Sequence, residues 1–398
     1  MIDPVRQEII TSAHTIVVKI GTGVLTRPDA SLDADRIGSL VEGVSKILAT
    51  GRKVVVVSSG AIGAGIGQLG LKKRPSDLPH LQAAASVGQS YLIRAYDEAL
   101  RRHGFHAAQI LLTAADFEDR ARYLNVRNTI HTLFDYHAVP IINENDTVSV
   151  AEIKFGYNDR LAAMVTNLLR APLLVILSVV DGLFTADPVK KSHVPTHHAP
   201  VHSAPTVIST VESLDDRIVA LAGAGKSELG TGGMATKLDA AKICTAAGES
   251  VWIVGGKRPG VLDDVLAGKR VGTLFIAQGG SLASRKRWIG YTVRPRGRYI
   301  VDAGARRAIE RNGKSLLAIG IVEVTGSFAP GDPVLLCDAE GAEFARGLTN
   351  FSADDARKIK GLRTPQIAAA LGTLLYDEVV HRDNLVVLNV SERPATQR

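Results

Sequence analysis

Through roughly the first 275 residues, short unbroken apolar runs alternate with longer stretches in which apolar residues recur every third or fourth position. The unbroken runs at 15–20, 54–57, 107–112, 139–142, 173–177 and 251–254 predict strands buried on both faces, since a strand with one wet face would alternate instead. The spaced stretches predict helices at 33–48, 81–102, 123–136, 158–169 and 234–247. In the first of these the apolar positions are Ile37, Leu40, Val41, Val44, Ile47 and Leu48. Gly51 and Gly104 stand where such helices should stop. Strands and helices in alternation predict an α/β fold, a three-layer αβα sandwich around a mainly parallel sheet.

The pattern lapses over 190–206, where histidines and prolines crowd together. Without an accompanying carboxylate or cysteine this stretch reads as a loop rather than a metal site. Beyond Gly279-Gly280 the texture changes for good. A basic segment, Arg285-Lys286-Arg287, leads into short apolar runs at 297–302, 315–319, 321–324 and 332–336, separated by glycine turns. These predict strands of a small, mainly-β second domain. The expected boundaries are 1–278 and 286–390, with a disordered end at 391–398.

Polar residues become informative where strands end. The run Val139-Pro140-Ile141-Ile142 empties into Asn143-Glu144-Asn145-Asp146, and a second pair, Asn158-Asp159, opens the next predicted helix. Asn and Asp favour turns and caps, but open α/β sheets also hold ligands at the carboxyl ends of their strands. Two such pairs, with Glu144 just before the first, favour the ligand reading. Lys19 lies within an apolar strand, where an unpaired charge is costly, just before Gly21-Thr22-Gly23. Gly60-Ala61-Ile62-Gly63-Ala64-Gly65 follows the second strand and lacks the dinucleotide spacing. Gly230-Thr231-Gly232-Gly233-Met234-Ala235-Thr236-Lys237 precedes a helix and lacks the Walker spacing, yet its backbone N–H groups and lysine suit a phosphate chain. Two lysines and one acidic residue suffice for phosphoryl transfer, which needs positioning and charge neutralisation more than covalent chemistry. Asp159 is the residue expected to hold the two ammonium groups.

Composition narrows the setting. The 398 residues allow two domains, and 45% hydrophobic with 22% charged residues is ordinary for a globular protein. Cys244 and Cys337 form neither a disulfide framework nor a metal spacing, which suits a reducing cytoplasm. No basic-then-apolar leader and no membrane-length apolar run is seen. The net charge of +7 is compatible with anionic partners.

The motifs Val17-Val18-Lys19-Ile20-Gly21, Ser58-Ser59-Gly60-Ala61, Ile142-Asn143-Glu144-Asn145-Asp146, Tyr157-Asn158-Asp159, Asp181-Gly182-Leu183-Phe184-Thr185-Ala186-Asp187-Pro188 and Gly230 to Lys237 together resemble the amino-acid kinase superfamily and, within it, the glutamate 5-kinases. Arg294-Pro295-Arg296-Gly297, Val301-Asp302-Ala303-Gly304-Ala305, Gly313-Lys314-Ser315-Leu316-Leu317 and Gly326-Ser327-Phe328 resemble a PUA domain. The resemblance implies ATP-dependent phosphorylation of the side-chain carboxylate of L-glutamate, the first step of proline biosynthesis. It implies Lys19, Asp159 and Lys237 as catalytic residues, and Ser59, Gly60, Asn143, Asp146 and Asn158 as the glutamate site. It implies Lys19, Gly21, Ser178, Val179, Thr231, Gly232, Gly233, Met234, Ala235, Thr236 and Lys237 as the ATP site. Magnesium would arrive bridging the ATP phosphates, with no protein side chains assigned to it. A homo-oligomer (dimer or tetramer) and feedback inhibition by L-proline are further implications. Val179 departs from the family pattern, which places a carboxylate there. Asp181 or a backbone contact is the expected substitute. Two alternatives remain: another acceptor, aspartate or N-acetylglutamate, or an RNA-binding protein acting through Arg285-Lys286-Arg287, Arg294, Arg296, Arg298, Arg306 and Arg307.

Overall fold

The computed structural model describes residues 2–27, 29, 31–149, 158–186, 205–222, 233–278, 286, 288–372 and 376–388. The chain divides into two compact units, Met1–Gly280 and Ser281–Arg398.

In the first unit the helices are α1 (Pro4–Ser12), α2 (Thr22–Leu25), α3 (Ala34–Ala49), α4 (Ala61–Gln68), α5 (Leu78–Arg101), α6 (Ala114–Glu118), α7 (Arg120–Asp135), α8 (Asn158–Leu169), α9 (Asp216–Ala220), α10 (Met234–Ala247) and α11 (Val261–Leu266). The strands are β1 (Thr15–Ile20), β2 (Lys53–Ser58), β3 (His106–Leu112), β4 (Ala138–Glu144), β5 (Leu173–Ser178), β6 (Thr210–Val211), β7 (Ser250–Gly255) and β8 (Thr273–Phe275). They form one sheet in the order β3-β4-β2-β1-β5-β7-β8-β6. Its pairings are parallel except between β7 and β8. Central strands β1, β5 and β7 are buried at every residue, as their unbroken apolar runs require. Pro140 lies in a central strand without breaking it, because β2 pairs with β4 only from Ile141 onward.

Side-chain alternation along β1 assigns the two faces. Ile16, Val18 and Ile20 join a core with α1, α3, α5 and α11. Val17 and Lys19 project to the opposite face, against α8, beside which α10 packs on α8 and β7. Helix α8 is buried at every residue except Arg160. A helix enclosed on all sides is a core element, so its first residues, Asn158 and Asp159, are fixed by the packing of the whole layer.

Helices α4 and α5 cross at very short range. A Cβ added at Gly65 would collide with the Ala84 carbonyl, and one at Gly88 with the Ala61 carbonyl. Glycine here is a packing requirement rather than a turn signal. Gly88→Val is expected to cost about 3 kcal/mol through overpacking, read as a lower urea midpoint at an unchanged slope.

In the second unit, β9 (Gly297–Val301), β10 (Ile321–Gly326), β11 (Pro333–Cys337), β12 (Glu343–Leu348) and β13 (Leu385–Val387) form a sheet in the order β10-β9-β11-β12-β13. Helices α12 (Ala303–Asn312), α13 (Ala353–Ile359) and α14 (Thr364–Leu371) accompany it, and Ile309, Ile359 and Ile367 enter its core. The strand predicted at 315–319 is absent. Leu316 makes a single bridge to Val380 and Ala318–Gly320 is a 3₁₀ turn. The apolar alternation there does track burial, with Leu316 and Ala318 inside and Leu317 and Ile319 outside, but no ladder forms.

Candidate active site

Four parallel strands, β1, β2, β4 and β5, deliver their carboxyl ends to one edge of the first unit. Two groups of polar side chains meet there. The first is ionic. Asp159 at the start of α8 is fully buried; Lys19 Nζ lies 2.7 Å from its Oδ1 and Lys237 Nζ 3.2 Å from its Oδ2. Both lysines are themselves buried. The Thr236 hydroxyl is 2.7 Å from Oδ2, and Lys237 Nζ is also 3.4 Å from the Gly233 carbonyl. Burial alone would raise the Asp159 pKa. The two ammonium charges, with hydrogen bonds from Lys19 and Thr236, outweigh it and hold the carboxyl well below the usual carboxylate range. Two cations against one anion leave this pocket with an excess positive charge suited to an anionic ligand.

Gly21 adjoins it: a Cβ there would stand in ordinary contact, 3.4 Å from the Leu177 carbonyl and 3.7 Å from Lys19 Nζ. The Gly21 N–H donates to the Leu177 carbonyl at 3.2 Å, tying the end of β1 to β5. Gly233 caps α10 without a side-chain hydrogen bond, and a helix start of this kind suits an anionic ligand. Thr231 and Gly232, also expected to contact nucleotide, lie outside the described residues, as do Tyr157 and most of the 190–206 stretch.

The second group is a neutral hydrogen-bond network. The Asn158 carboxamide donates to Ser59 Oγ and to Asn143 Oδ1, each at 2.9 Å, and sits 3.4 Å from the Ser58 carbonyl. Asn143 Oδ1 also accepts from the Glu144 N–H. The Ser59 N–H donates to the Ile20 carbonyl at 3.1 Å. Gly60 has a φ of +103°, which a side chain would strain, and caps α4 with no side-chain hydrogen bond. The first turn of α4 thus presents N–H groups beside Ser59, a place suited to a carboxylate. Asp146, buried at 5% exposure, lies in the turn after β4. The structure therefore joins Ser59, Asn143 and Asn158 directly, and Lys19, Asp159 and Lys237 directly. The two groups abut through the adjacent residues Asn158 and Asp159.

On the nucleotide side, Ser178 is buried whereas Val179 is 46% exposed and packs against Gly23, where a Cβ would lie 2.8 Å from Val179 Cγ1. Asp181 is exposed and pressed against Gly255. Sequence reading missed two supports. The resemblance implies a nucleotide contact for Thr236, and its hydroxyl also donates to Asp159. Tyr96, buried in α5, has its hydroxyl 3.0 Å from Ser58 Oγ beneath the Ser59 turn. Nothing in a lone tyrosine of an amphipathic helix signals such a contact.

The first unit is thus a parallel-sheet core with a buried lysine–aspartate–lysine cluster at its strand ends. Residues 14–255 match the amino acid kinase family and residues 297–371 match the PUA domain. The chain belongs to the amino acid kinase family, and within it to the glutamate 5-kinases. It is 45% identical over 382 residues to the glutamate 5-kinase of Syntrophotalea carbinolica, covering 96% of this chain and 99% of that one. It is 45% identical over 383 residues to that of Geobacter sulfurreducens, covering 96% and 100%. It is 44% identical over 378 residues to that of Caldanaerobacter subterraneus subsp. tengcongensis, covering 95% and 99%.

Proposed function

We propose that this protein transfers the γ-phosphoryl group of ATP to the side-chain carboxylate of L-glutamate, giving L-glutamyl 5-phosphate and ADP, the first step of proline biosynthesis. The observation that carries this reading is the buried Lys19–Asp159–Lys237 cluster one residue from the Ser59–Asn143–Asn158 network, in a chain matching glutamate 5-kinases over nearly its whole length. Glutamate binds at Ser59, Gly60, Asn143, Asp146 and Asn158. Asp146 pairs with the substrate ammonium, and the hydroxyl, amides and α4 N–H groups receive its carboxylates. ATP lies along Gly21, Ser178, Val179 and residues 231–237. A glutamate side-chain oxygen attacks the γ-phosphorus as the bond to the bridging β-oxygen breaks.

The acceptor carboxylate is already ionised at neutral pH, so no general base is required. Asp159 accordingly has another task. Its oxygens are engaged by Lys19, Lys237 and Thr236, and it holds the two ammonium groups where charge builds on the transferring phosphoryl. This donor set suits phosphate oxygens rather than a metal cage, and no cluster of three metal-ligating side chains occurs among the described residues. Magnesium, carried on the ATP phosphates, would supply further neutralisation of charge. The same reading brings a cytoplasmic homo-oligomer and feedback inhibition by L-proline. Among the described residues no helix is long and apolar enough to cross a membrane.

Hydroxylamine trapping tests the reaction. With ATP and magnesium, glutamate is expected to yield the hydroxamate. A hydroxamate from aspartate or N-acetylglutamate but not glutamate would overturn the substrate. RNA binding through the second unit is the alternative reading, with Arg294, Arg296, Arg298 and Arg307 exposed. Against it, Arg306 is paired with Asp338 at 2.6 Å and Glu310 at 3.2 Å, and Arg296 with Asp332 at 3.7 Å. A titration with structured RNA at rising salt distinguishes the readings: a steep loss of binding with salt supports RNA contact.

A further inference from the structure

The turn that carries Asp146 is met from outside by helix α5, chiefly through Gln82. The Gln82 Nε2 lies 3.0 Å from the Asp146 carbonyl, 3.3 Å from that of Thr147 and 3.4 Å from that of Ser149. Three carbonyl oxygens converging on one point require a donor there, so the carboxamide nitrogen, with two N–H groups to share, faces them. One helical turn along, Ser86 Oγ lies 3.1 Å from Thr147 Oγ1, so the same face of α5 meets the same turn twice. Within the turn, the Val148 and Ser149 N–H groups donate to the Asn145 carbonyl at 3.2 and 3.0 Å, and the Ser149 hydroxyl donates to Glu144. Those bonds close the turn on itself. The Asn145 N–H ties the turn to the Leu112 carbonyl of β3 at 2.9 Å, and the Gln82 and Ser86 bonds tie it to α5.

That helix is also the one against which α4 packs, with Gly88 under Ala61 and Ala84 over Gly65. Helix α4 begins at the Ser59-Gly60 turn. Helix α5 therefore sets both walls of the amino-acid site: the Ser59 wall through backbone packing, the Asp146 wall through a carboxamide.

We propose that Gln82 is a positioning residue for glutamate recognition, fixing Asp146 for the substrate ammonium. The proposal rests on the reading of Ser59, Asn143, Asp146 and Asn158 as the glutamate site. It assigns Gln82 no contact with ATP and none with the phosphoryl chemistry, which lies across α8. Its signature is therefore a selective effect on glutamate KM.

The test uses the full-length protein and steady-state kinetics. Gln82→Met keeps length and removes the donor. It is expected to raise the KM for glutamate roughly tenfold, with kcat and the KM for ATP within about twofold of the parent. Gln82→Glu, which sets an acceptor against three acceptors, should raise it further. Asp146→Ala alone should raise the same KM, and adding Gln82→Met to it should then change KM by less than about twofold, since the carboxylate that Gln82 positions is gone. A raised KM in Asp146→Ala with an unchanged KM in Gln82→Met overturns the proposal alone. Independent, multiplicative effects in the double variant also overturn it. An unchanged KM in Asp146→Ala overturns the reading of the site itself. A fall in kcat and a rise in the KM for ATP together in Gln82→Met would mark a general structural role and likewise overturn it.

Discussion

Asp159→Ala is expected to lower kcat at least a hundredfold while changing the KM for glutamate little. The expectation follows from what the carboxylate holds. Its two oxygens are 2.7 Å from Lys19 Nζ and 3.2 Å from Lys237 Nζ. Without it two buried ammonium groups face one another with no counter-charge, and neither stays where the transferring phosphoryl needs it. Loss of preorganised electrostatic donors of this kind costs about 10² to 10³ in turnover. The variant should also lose about 3–5 kcal/mol of stability in the absence of nucleotide, since removing one member of a buried ion cluster strands the rest. ATP phosphates would replace the missing negative charge, so nucleotide should raise Tm more in the variant than in the parent. Acid unfolding gives a third readout. The folded-state pKa of Asp159 lies below its unfolded value, so its contribution is present above the ordinary carboxylate pKa of about 4 and is lost as pH falls through the folded value. Urea midpoints should therefore fall less steeply with acid in the variant. An unchanged kcat would remove Asp159 from the chemistry.

Asp146→Ala carries the opposite signature. A charge-assisted bond to the substrate ammonium is worth about 1.5–3 kcal/mol, so the KM for glutamate should rise about 10- to 150-fold with kcat within about threefold. Initial-rate hydroxamate kinetics over a glutamate series measure both parameters. Equal losses of kcat in the Asp146 and Asp159 variants, with no change in KM, would contradict the division of labour between them.

Much of the fold was legible because the parallel sheet is buried on both sides. Its strands then show as solid apolar runs whose edges the structure moves by a residue or two, as from 173–177 to Leu173–Ser178. Helices α2 and α4 were not legible. Their glycines read as turns, yet α4 is a helix of Ala, Gly and Ile, buried from Ala61 to Ile66 because α5 packs so closely on it. That close packing is a tertiary fact with no local trace. In the second unit, α12 passed unnoticed because Arg306, Arg307 and Arg311 dominate a helix whose one fully buried residue is Ile309. At the site, motif resemblance named Lys19, Asp159 and Lys237, which the structure brings within ion-pair distance. Resemblance could not name Gln82, 64 residues from the carbonyl it meets, since a glutamine on an amphipathic helix looks like any solvated residue.

The enclosure of α8 has a consequence for how this enzyme could change over evolutionary time. Asn158 and Asp159 occupy successive positions on one buried helix, about 100° apart around its axis, so under the proposed roles the acceptor and the donor halves of the reaction hang from a shared rigid post. The post resists change, because a shift that re-aimed one residue would displace the other. The segments that complete the acceptor half, Ser59-Gly60 and 143–146, lie at strand ends and turns outside that post. Under the proposed roles, a changed acceptor specificity is expected from substitutions in those segments rather than in α8.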